Sequence, residues 1–352
     1  MSKIIIINEF TSDNSIGGYA GYKRNLESLA HFFELDYCPI NPKEVGKIGK
    51  LKRALTSKVP TIFSKKECND IAEYIRKSDA EYVFLNSSVL GYFAKPSKEC
   101  GKKVITYFQN FEYKLTKEIK SRFWVKATKE SERTSLEYSD YLIFLNERDK
   151  NEILGYYGML DKKNYSLIPV TLKDKYKEIK LSKDEKPYGL FVGAFYKPNC
   201  EAIQFINDNI CDEIDYDIHI VGFGLDGFEP KNKRPNLKVI GYADDIQKEY
   251  AGATFSILPI FSGGGMKVKT CEALMQGKVI FGSKEALQGY RKDSKDIKCC
   301  ETKEEFVSDI KEYLKNPKYI SEENRKIFLE SYSNDVATKT YGGIIKLLEK
   351  RA

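Results

Sequence analysis

Residues 258–289 read LPIFSGGGMKVKTCEALMQGKVIFGSKEALQG. An apolar run of strand length ends at Pro259, and a helix is predicted to begin near Met266. Between them lie three consecutive glycines, Gly263, Gly264 and Gly265. Glycine permits positive φ and leaves backbone N–H groups accessible, and a helix N-terminus carries partial positive charge. The order of strand, glycine loop and helix therefore predicts an anion-binding loop.

Charged residues follow this loop in an informative order. Lys267 and Lys269 add two full positive charges, and Glu272 lies three positions after Lys269, on the same helical face. A carboxylate accepts hydrogen bonds from two vicinal hydroxyls, such as those of a ribose. A diphosphate that joins a ribose to a sugar would meet these groups in sequence. The alternative explanation, a tight turn with surface lysines, does not account for the spacing of the two lysines and the glutamate.

Strands and helices alternate on both sides of this stretch. Strand-like runs occur in a first series at residues 3–8, 82–85, 103–108, 141–145 and 165–170, and in a second at 188–192, 217–221, 236–240, 254–259, 278–281 and 296–300. Helical spacing of apolar residues falls between them at 22–33, 126–138, 147–157, 199–209, 244–250 and 268–276. This rhythm predicts an α/β fold with two doubly wound, Rossmann-like domains and a binding cleft at the carboxyl ends of the strands.

The expected domain boundaries follow from composition. Residues 1–170 form the first domain, and residues 171–186, TLKDKYKEIKLSKDEK, are polar enough to be a linker. Residues 187–332 form the second domain. Residues 333–352 end in a helix that we expect to pack back on the first domain.

Composition excludes several classes. Of 352 residues, 41% are hydrophobic and 31% charged, as in an ordinary folded protein. Apolar runs fall short of the roughly 20 residues of a membrane span, and Met1 leads directly into KIIIIN without a secretory signal pattern, so a cytoplasmic location is expected. Eight scattered cysteines and two histidines give no metal-ligand spacing, so no metal is expected.

The net charge of +7 is a mild excess that does not imply a nucleic-acid partner. Positive charge is concentrated at residues 47–66, which carry seven basic residues and no acidic one. This segment is interpreted as a solvated helix face, with peripheral contact to an anionic membrane surface or to the acceptor as the alternative.

Residues 263–278, GGGMKVKTCEALMQGK, resemble the donor-binding signature of the retaining GT-B glycosyltransferases of family 4, approximately G-S-G-x-R-x-K-x-x-E-A-[LM]-x-x-G-K, in a glycine-rich form. The resemblance implies the GT-B fold, with its two domains facing across the cleft. It implies transfer, with retention, of a hexose-type sugar from a UDP- or GDP-sugar to an acceptor, without a metal or other cofactor. By the same resemblance Lys267 and Lys269 bind the leaving diphosphate and Glu272 binds the ribose.

Other stretches fit the same family pattern. LFVGAFYKPNCEAIQF, residues 190–205, is similar to the first strand and turn of the family's second domain and includes Gly193. The resemblance assigns the nucleobase to backbone groups of Gly241, Tyr242 and Ala243. It places Gly17 and Gly18 in a loop after the first strand, facing donor phosphate and acceptor.

Two positions depart from the family pattern. Many members carry a glutamate eight positions before the ribose glutamate, where this chain has Gly264. Many also have a histidine after a strand of the first domain, where this chain has Gln109, followed by Asn110. Glutamine can hydrogen-bond a sugar but cannot accept a proton as imidazole does. Both changes are compatible with a reaction in which the leaving phosphate takes the acceptor proton.

Alternative functions remain open at this point. A catalytically silent subunit that binds a partner enzyme is compatible with both departures, and a nucleotide-sugar epimerase is disfavoured by the scarcity of histidine near the motif. A metal-dependent transferase could use Asp215 and Asp217, but these precede a strand, which favours a solvated turn. A dehydrogenase is disfavoured because no GxGxxG follows the first strand. The expected acceptor is a saccharide of cell-surface polysaccharide or glycoconjugate synthesis, free or lipid-linked.

Overall fold

The structure, a computed structural model, describes residues 1–8, 17–40, 63–119, 122–162, 164–178 and 186–350. Its contacts divide the chain into two compact units. The N-terminal unit comprises Met1–Pro169 and Asn334–Ala352, and the C-terminal unit comprises Val170–Ser333.

The N-terminal unit alternates strands and helices along most of its described length. Its elements are β1 (Lys3–Ile7), α1 (Gly17–Leu29), β2 (Glu34–Tyr37), α2 (Lys65–Lys77), β3 (Tyr82–Leu85), a 3₁₀ helix (Ser88–Phe93), α3 (Ala94–Glu99), β4 (Lys103–Phe108), α4 (Glu112–Ile119), α5 (Arg122–Tyr138), β5 (Tyr141–Phe144), α6 (Glu147–Tyr156) and β6 (Tyr165–Leu167). Within the described residues the strands form a six-stranded sheet in the order β2-β1-β3-β4-β5-β6, and each neighbouring pair is parallel.

Strand β1, which lies between the edge strand β2 and β3, is an uninterrupted apolar run. Ile4, Ile5, Ile6 and Ile7 of β1 are each no more than 1% exposed. A strand that is buried on both faces reads as a continuous apolar run because helices cover both sides of a parallel sheet. Burial of each such side chain contributes about 2 kcal/mol.

The last helix of the described chain belongs to this unit. Helix α12 (Asn334–Glu349) lies against α1, where Thr338 Oγ1 donates to Ser28 Oγ at 3.1 Å. The buried ring of Tyr341 packs edge-on against Phe84 of β3, with 6.3 Å between centroids. The N-terminal core is therefore completed by residues that follow the whole C-terminal unit in sequence.

The C-terminal unit repeats the same architecture. Its elements are β7 (Tyr188–Val192), α7 (Lys197–Asn209), β8 (Ile218–Val221), β9 (Leu237–Gly241), α8 (Ile246–Gly252), β10 (Ala253–Leu258), α9 (Val268–Met275), β11 (Val279–Gly282), β12 (Ile297–Cys299), α10 (Lys303–Leu314) and α11 (Glu322–Ser331). In the part of the chain that the structure describes, these strands form a second parallel sheet in the order β12-β11-β10-β7-β8-β9. The strand order reverses between β7 and β10, which is the switch point where doubly wound sheets bind ligands.

The prediction of two parallel, doubly wound sheets is confirmed. The sequence reading did not include β2, the short helices around residues 88–99, α2, α4, α10 or α11. Most of the basic segment at residues 47–66 lies outside the described residues. Of the expected linker, Leu172 pairs with Ser333 through an isolated bridge, and Thr171 is buried, so this part runs along the C-terminal unit.

None of the helices in the described residues combines the length and the apolar character that crossing a bilayer requires.

Gly91 is predicted to be essential to the packing of the 3₁₀ helix on α5. A Cβ at this position would lie 1.9 Å from the Ser131 backbone oxygen and 2.2 Å from Ser135 Oγ. We expect Gly91→Ala to lower the free energy of unfolding of the N-terminal unit by about 1–3 kcal/mol through overpacking. Thermal and urea denaturation would measure the change.

Gly343 of α12 provides the matched control in the same unit, because a Cβ there meets nothing within 4 Å. Gly343→Ala should raise stability by about 0.5–1 kcal/mol, since alanine favours helix. Equal midpoints for the two variants would contradict this account of the packing.

Candidate anion-binding site

The loops after β7 and β10 meet at the switch point of the C-terminal sheet. The first contains Gly193 and the second the three glycines at residues 263–265. A Cβ at Gly193 would lie 2.8 Å from Lys269 Nζ and 2.8 Å from Asn199 Nδ2. The absence of a side chain at Gly193 therefore makes room for the Lys269 ammonium between the two loops.

The glycine loop has a backbone that other residues rarely adopt. Gly263 has φ 114° and Gly265 has φ 62°, both in the left-handed region. Among the described residues, the backbone amides of residues 263–267 have no hydrogen-bond partner. Helix α9 begins at Val268, where the apolar spacing of residues 268–276 predicts it, and Lys267 is its N-cap without a side-chain cap. Unpaired amides and the N-terminus of α9 together form a cradle for an anion.

Lys269 projects toward the loop that follows β7. Its Nζ donates to Asn199 Oδ1 and lies 4.6 Å from the centre of the Phe191 ring. Burial lowers the pKa of Lys269 to about 7, with the Glu272 carboxylate opposing this shift and Lys267 adding to it. An anion bound beside Lys269 would therefore favour its protonated form.

Glu272 lies one helical turn after Lys269 and is half-buried. Its Oε2 accepts from the hydroxyl of the buried Tyr250 at 3.5 Å. Burial raises the pKa of Glu272 to about 7, while the charge of Lys269 lowers it. The predicted proximity of Lys269 and Glu272 on one face of the helix is present in the structure.

Lys267 points away from Lys269, toward the other neighbour of β10. Its Nζ forms an ion pair with Glu285 Oε1 at 2.7 Å and donates to the Gly264 carbonyl at 3.1 Å. Glu285 lies in the turn that follows β11. The two lysines thus lie on either side of the glycine loop, and Lys267 already has a carboxylate partner.

The loop after β9 contains the three residues expected at a nucleobase. Gly241 ends β9 with φ 79°, and a Cβ there would lie 2.6 Å from Asp226 Oδ1. The Tyr242 amide donates to the same carboxylate oxygen at 3.4 Å, and its side chain is 59% exposed. Ala243 follows, half-buried. The close contact with Asp226 explains why glycine is needed at position 241.

The other predicted residues belong to the N-terminal unit. Gly17 and Gly18 are the first residues of α1 and not part of a loop, which corrects the sequence reading. The apolar periodicity predicts this helix only from residue 22, where the periodicity begins. Gln109 and Asn110 follow β4 and are half-buried, and Asn110 Nδ2 donates to Glu112 Oε1 at 3.0 Å.

Asn199 and Glu285 are the site residues that sequence reasoning missed. Asn199 lies within residues 190–205, the stretch that is similar to the family's first strand and turn, so the sequence could have indicated it. Glu285 had no local signal, because its contact with Lys267 depends on the pairing of β10 with β11.

The described residues contain no candidate metal centre. No group of three or more His, Cys, Asp or Glu side chains there is arranged to hold a metal ion. Asp217 of the considered Asp-x-Asp triplet pairs with Lys238 at the amino end of β8.

The protein is thus a doubly wound α/β protein, and the glycine loop at the switch point of its second sheet is a candidate anion site. Residues 186–316, within the C-terminal unit, match the family model of glycosyl transferases group 1. No curated protein matches the chain by sequence.

Solved structures similar to this one extend the comparison to both units. Sucrose-phosphate synthase of Thermosynechococcus elongatus has a TM-score of 0.72 at 14% identity, covering 100% of both chains. Anabaena HepE, solved with UDP and glucose, has a TM-score of 0.67 at 10% identity, covering 98% of this chain and 100% of HepE. A trehalose-6-phosphate synthase has a TM-score of 0.62 at 10% identity, covering 98% and 99%. The fold is therefore that of the GT-B glycosyltransferases.

Gly193→Ala should weaken binding of inorganic pyrophosphate to the cradle by about tenfold or more. The added Cβ would displace the Lys269 ammonium, and a hydrogen bond to a charged group is worth about that factor. Isothermal titration calorimetry measures the Kd. Gly343→Ala serves as the control, and an unchanged Kd in Gly193→Ala would show that Lys269 does not bind the anion.

Proposed function

We propose that the protein is a glycosyltransferase that moves a hexose-type sugar from a UDP- or GDP-sugar to a saccharide acceptor with retention. The C-terminal unit binds the donor. The N-terminal unit, with Gly17, Gly18, Gln109 and Asn110, is assigned to the acceptor, whether free or lipid-linked.

The observation that carries this proposal is the glycine loop flanked by Lys267 and Lys269, with Glu272 behind it. Unpaired amides, two ammonium groups and a helix N-terminus suit a diphosphate, and a carboxylate suits the two ribose hydroxyls. These residues lie within the stretch that matches glycosyl transferases group 1. The neighbours solved with UDP and glucose support a donor of the same class.

The proposed reaction breaks the bond between the anomeric carbon and the phosphate oxygen. The bonding electrons go to that oxygen, the acceptor oxygen bonds to the anomeric carbon, and the acceptor proton passes to the leaving phosphate. Charge therefore develops on the diphosphate in the transition state, where Lys267 and Lys269 stabilise it. With this stabilisation the reaction needs no metal, so we expect full activity in excess chelator.

Lys267→Ala and Lys269→Ala should each reduce turnover by about 10²- to 10³-fold, the effect of losing one electrostatic donor. Release of nucleoside diphosphate from UDP-glucose or GDP-mannose measures the rate. Lys248→Ala removes an exposed lysine of α8 and is the matched control. Normal activity in both site variants would refute the assignment, and a wild-type protein that binds donor without hydrolysing or transferring it would indicate a silent subunit.

Donor binding should weaken as pH rises through 7. The pKa of free Lys269 is lowered to about 7 by burial, and a bound pyrophosphate raises it, so binding takes up a proton above that pH. We expect the Kd for the nucleotide sugar to increase about three- to tenfold between pH 7 and pH 8.5. Calorimetric titrations over this range measure the change.

Lys269→Arg is the control for this pH dependence, because guanidinium stays protonated throughout the range. Its Kd should increase less than that of the wild-type protein between pH 7 and pH 8.5, although Glu272, whose pKa burial raises to about 7, still titrates in this range. If the wild-type protein showed no pH dependence, or if the arginine variant kept it undiminished, Lys269 would not be the titrating group.

A further inference from the structure

Asn199 is the side chain through which α7 contacts Lys269. Pro198 and Asn199 are the second and third residues of α7, and the Asn199 amide donates to the carbonyl of Tyr196, the N-cap, at 2.8 Å. Proline in the first turn of a helix restricts the backbone to the helical φ. The backbone of Asn199 is therefore fixed where the loop after β7 enters α7, and its side chain turns back toward that loop.

The carboxamide of Asn199 has two partners of opposite kind. Its Nδ2 donates to the Ala194 carbonyl at 2.7 Å, and its Oδ1 accepts from Lys269 Nζ. A carbonyl only accepts and an ammonium only donates, so a single orientation of the carboxamide satisfies both groups. Aspartate at this position would have no donor for Ala194, and leucine would have neither group. The contact therefore requires a side chain with a donor and an acceptor in one plane.

The surroundings of the Lys269 ammonium carry charges of both signs. Burial lowers the pKa of Lys269 most, the charge of Glu272 raises it, and that of Lys267 lowers it further. The N-termini of α7 and α9 both add partial positive charge. On α7, Lys197 and Glu201 are exposed and pair with each other at 3.8 Å. What α7 and β7 supply to the ammonium is thus an uncharged acceptor and an aromatic face.

We propose that Asn199 is the positioning residue of Lys269, and that its carboxamide holds the ammonium between the two loops, where the diphosphate of the donor would bind. This rests on the proposed function and adds to it a residue that acts through Lys269. A hydrogen bond to the ammonium favours the charged form, so Asn199 also supports protonation of Lys269 before the ligand arrives. Substitution of Asn199 should therefore change the titration of Lys269, which a residue that only capped the loop would not do.

Competitive acetylation with acetic anhydride, followed by mass spectrometry of the peptide that contains Lys269, measures the titration of this one side chain. Exposed Lys248 is the internal reference. In the wild-type protein the midpoint should lie at the pKa of about 7 to which burial lowers Lys269. Asn199→Leu should lower the midpoint by about one pH unit, because a hydrogen bond to the charged form is lost. Asn199→Asp should raise it by about one unit, because a carboxylate replaces a neutral acceptor.

Asn209→Leu is the matched control on the same helix. Asn209 lies about 15 Å further along α7, and its Nδ2 also donates to a backbone carbonyl, that of Phe205, at 3.1 Å. This variant should leave the titration midpoint of Lys269 unchanged. Thermal denaturation would show that each variant is folded. Should Asn199→Leu fail to fold, Asn199→Asp has nearly the size of the native residue, and its midpoint must still rise.

Calorimetry with inorganic pyrophosphate gives a second readout. The protonated ammonium attracts the anion, so a lowered pKa of Lys269 weakens binding little at a pH below it and more at a pH above it. Relative to the wild-type protein, Asn199→Leu should increase the Kd about twofold at pH 6 and about tenfold at pH 8. The same factor at both pH values would contradict the inference, because Asn199 would then contribute only to the structure of the loop.

The acetylation profile also separates this inference from the proposed function. An unmoved midpoint in Asn199→Leu, or shifts of the same sign in the leucine and aspartate variants, would overturn the inference and leave the proposed function intact. If the wild-type protein bound neither pyrophosphate nor UDP-glucose, the proposed function would fail. The acetylation profile would in that case still decide whether Asn199 holds Lys269, because it needs no ligand.

Discussion

The pairing of β10 with β7 is the contact on which the C-terminal unit depends. Strand β10 follows β9 in sequence but lies beside β7 in the sheet, so the chain returns to the middle before it continues to β11 and β12. Because all these strands are parallel, their carboxyl ends share one edge, and the loops after β7, β10 and β11 become neighbours. The positions of Lys269 beside Gly193 and of Lys267 beside Glu285 both follow from this arrangement.

Lys269 and Glu272 carry opposite charges and are both partly buried, and the pKa of each depends on the charge of the other. Burial alone would disfavour the charged forms of Lys269 and Glu272, and each moderates the pKa shift of the other. The nearby Lys278 has a different role, although it ends the same motif. It is 1% exposed, and its Nζ donates to the carbonyls of Ala253 and Tyr319 at 2.9 and 2.8 Å. Lys278, which directly precedes β11, therefore binds the backbone of β10 and of Tyr319 and does not face the cradle.

The sequence predicted the features that are encoded locally. Buried parallel strands such as β1 read as apolar runs, and a glycine loop before a helix is visible as a short motif. Strand β2 escaped prediction because ELDY at the sheet edge is only partly buried and lacks an apolar run. Helix α2 escaped because polar residues dominate it, although Ser64 and Glu67 form a capping box. The partner of Lys267 could not be predicted, since Glu285 reaches it only through the register of two strands.

The return of α12 to the N-terminal unit has a consequence for synthesis of the chain. The C-terminal unit is a continuous stretch and can be complete as soon as Ser333 has left the ribosome. The earlier and larger part of the N-terminal unit must wait, because Tyr341 and the rest of α12 cover part of its core. The unit translated second is thus free to finish folding first, and a fragment truncated at Pro169 exposes apolar surface that the C-terminal fragment does not.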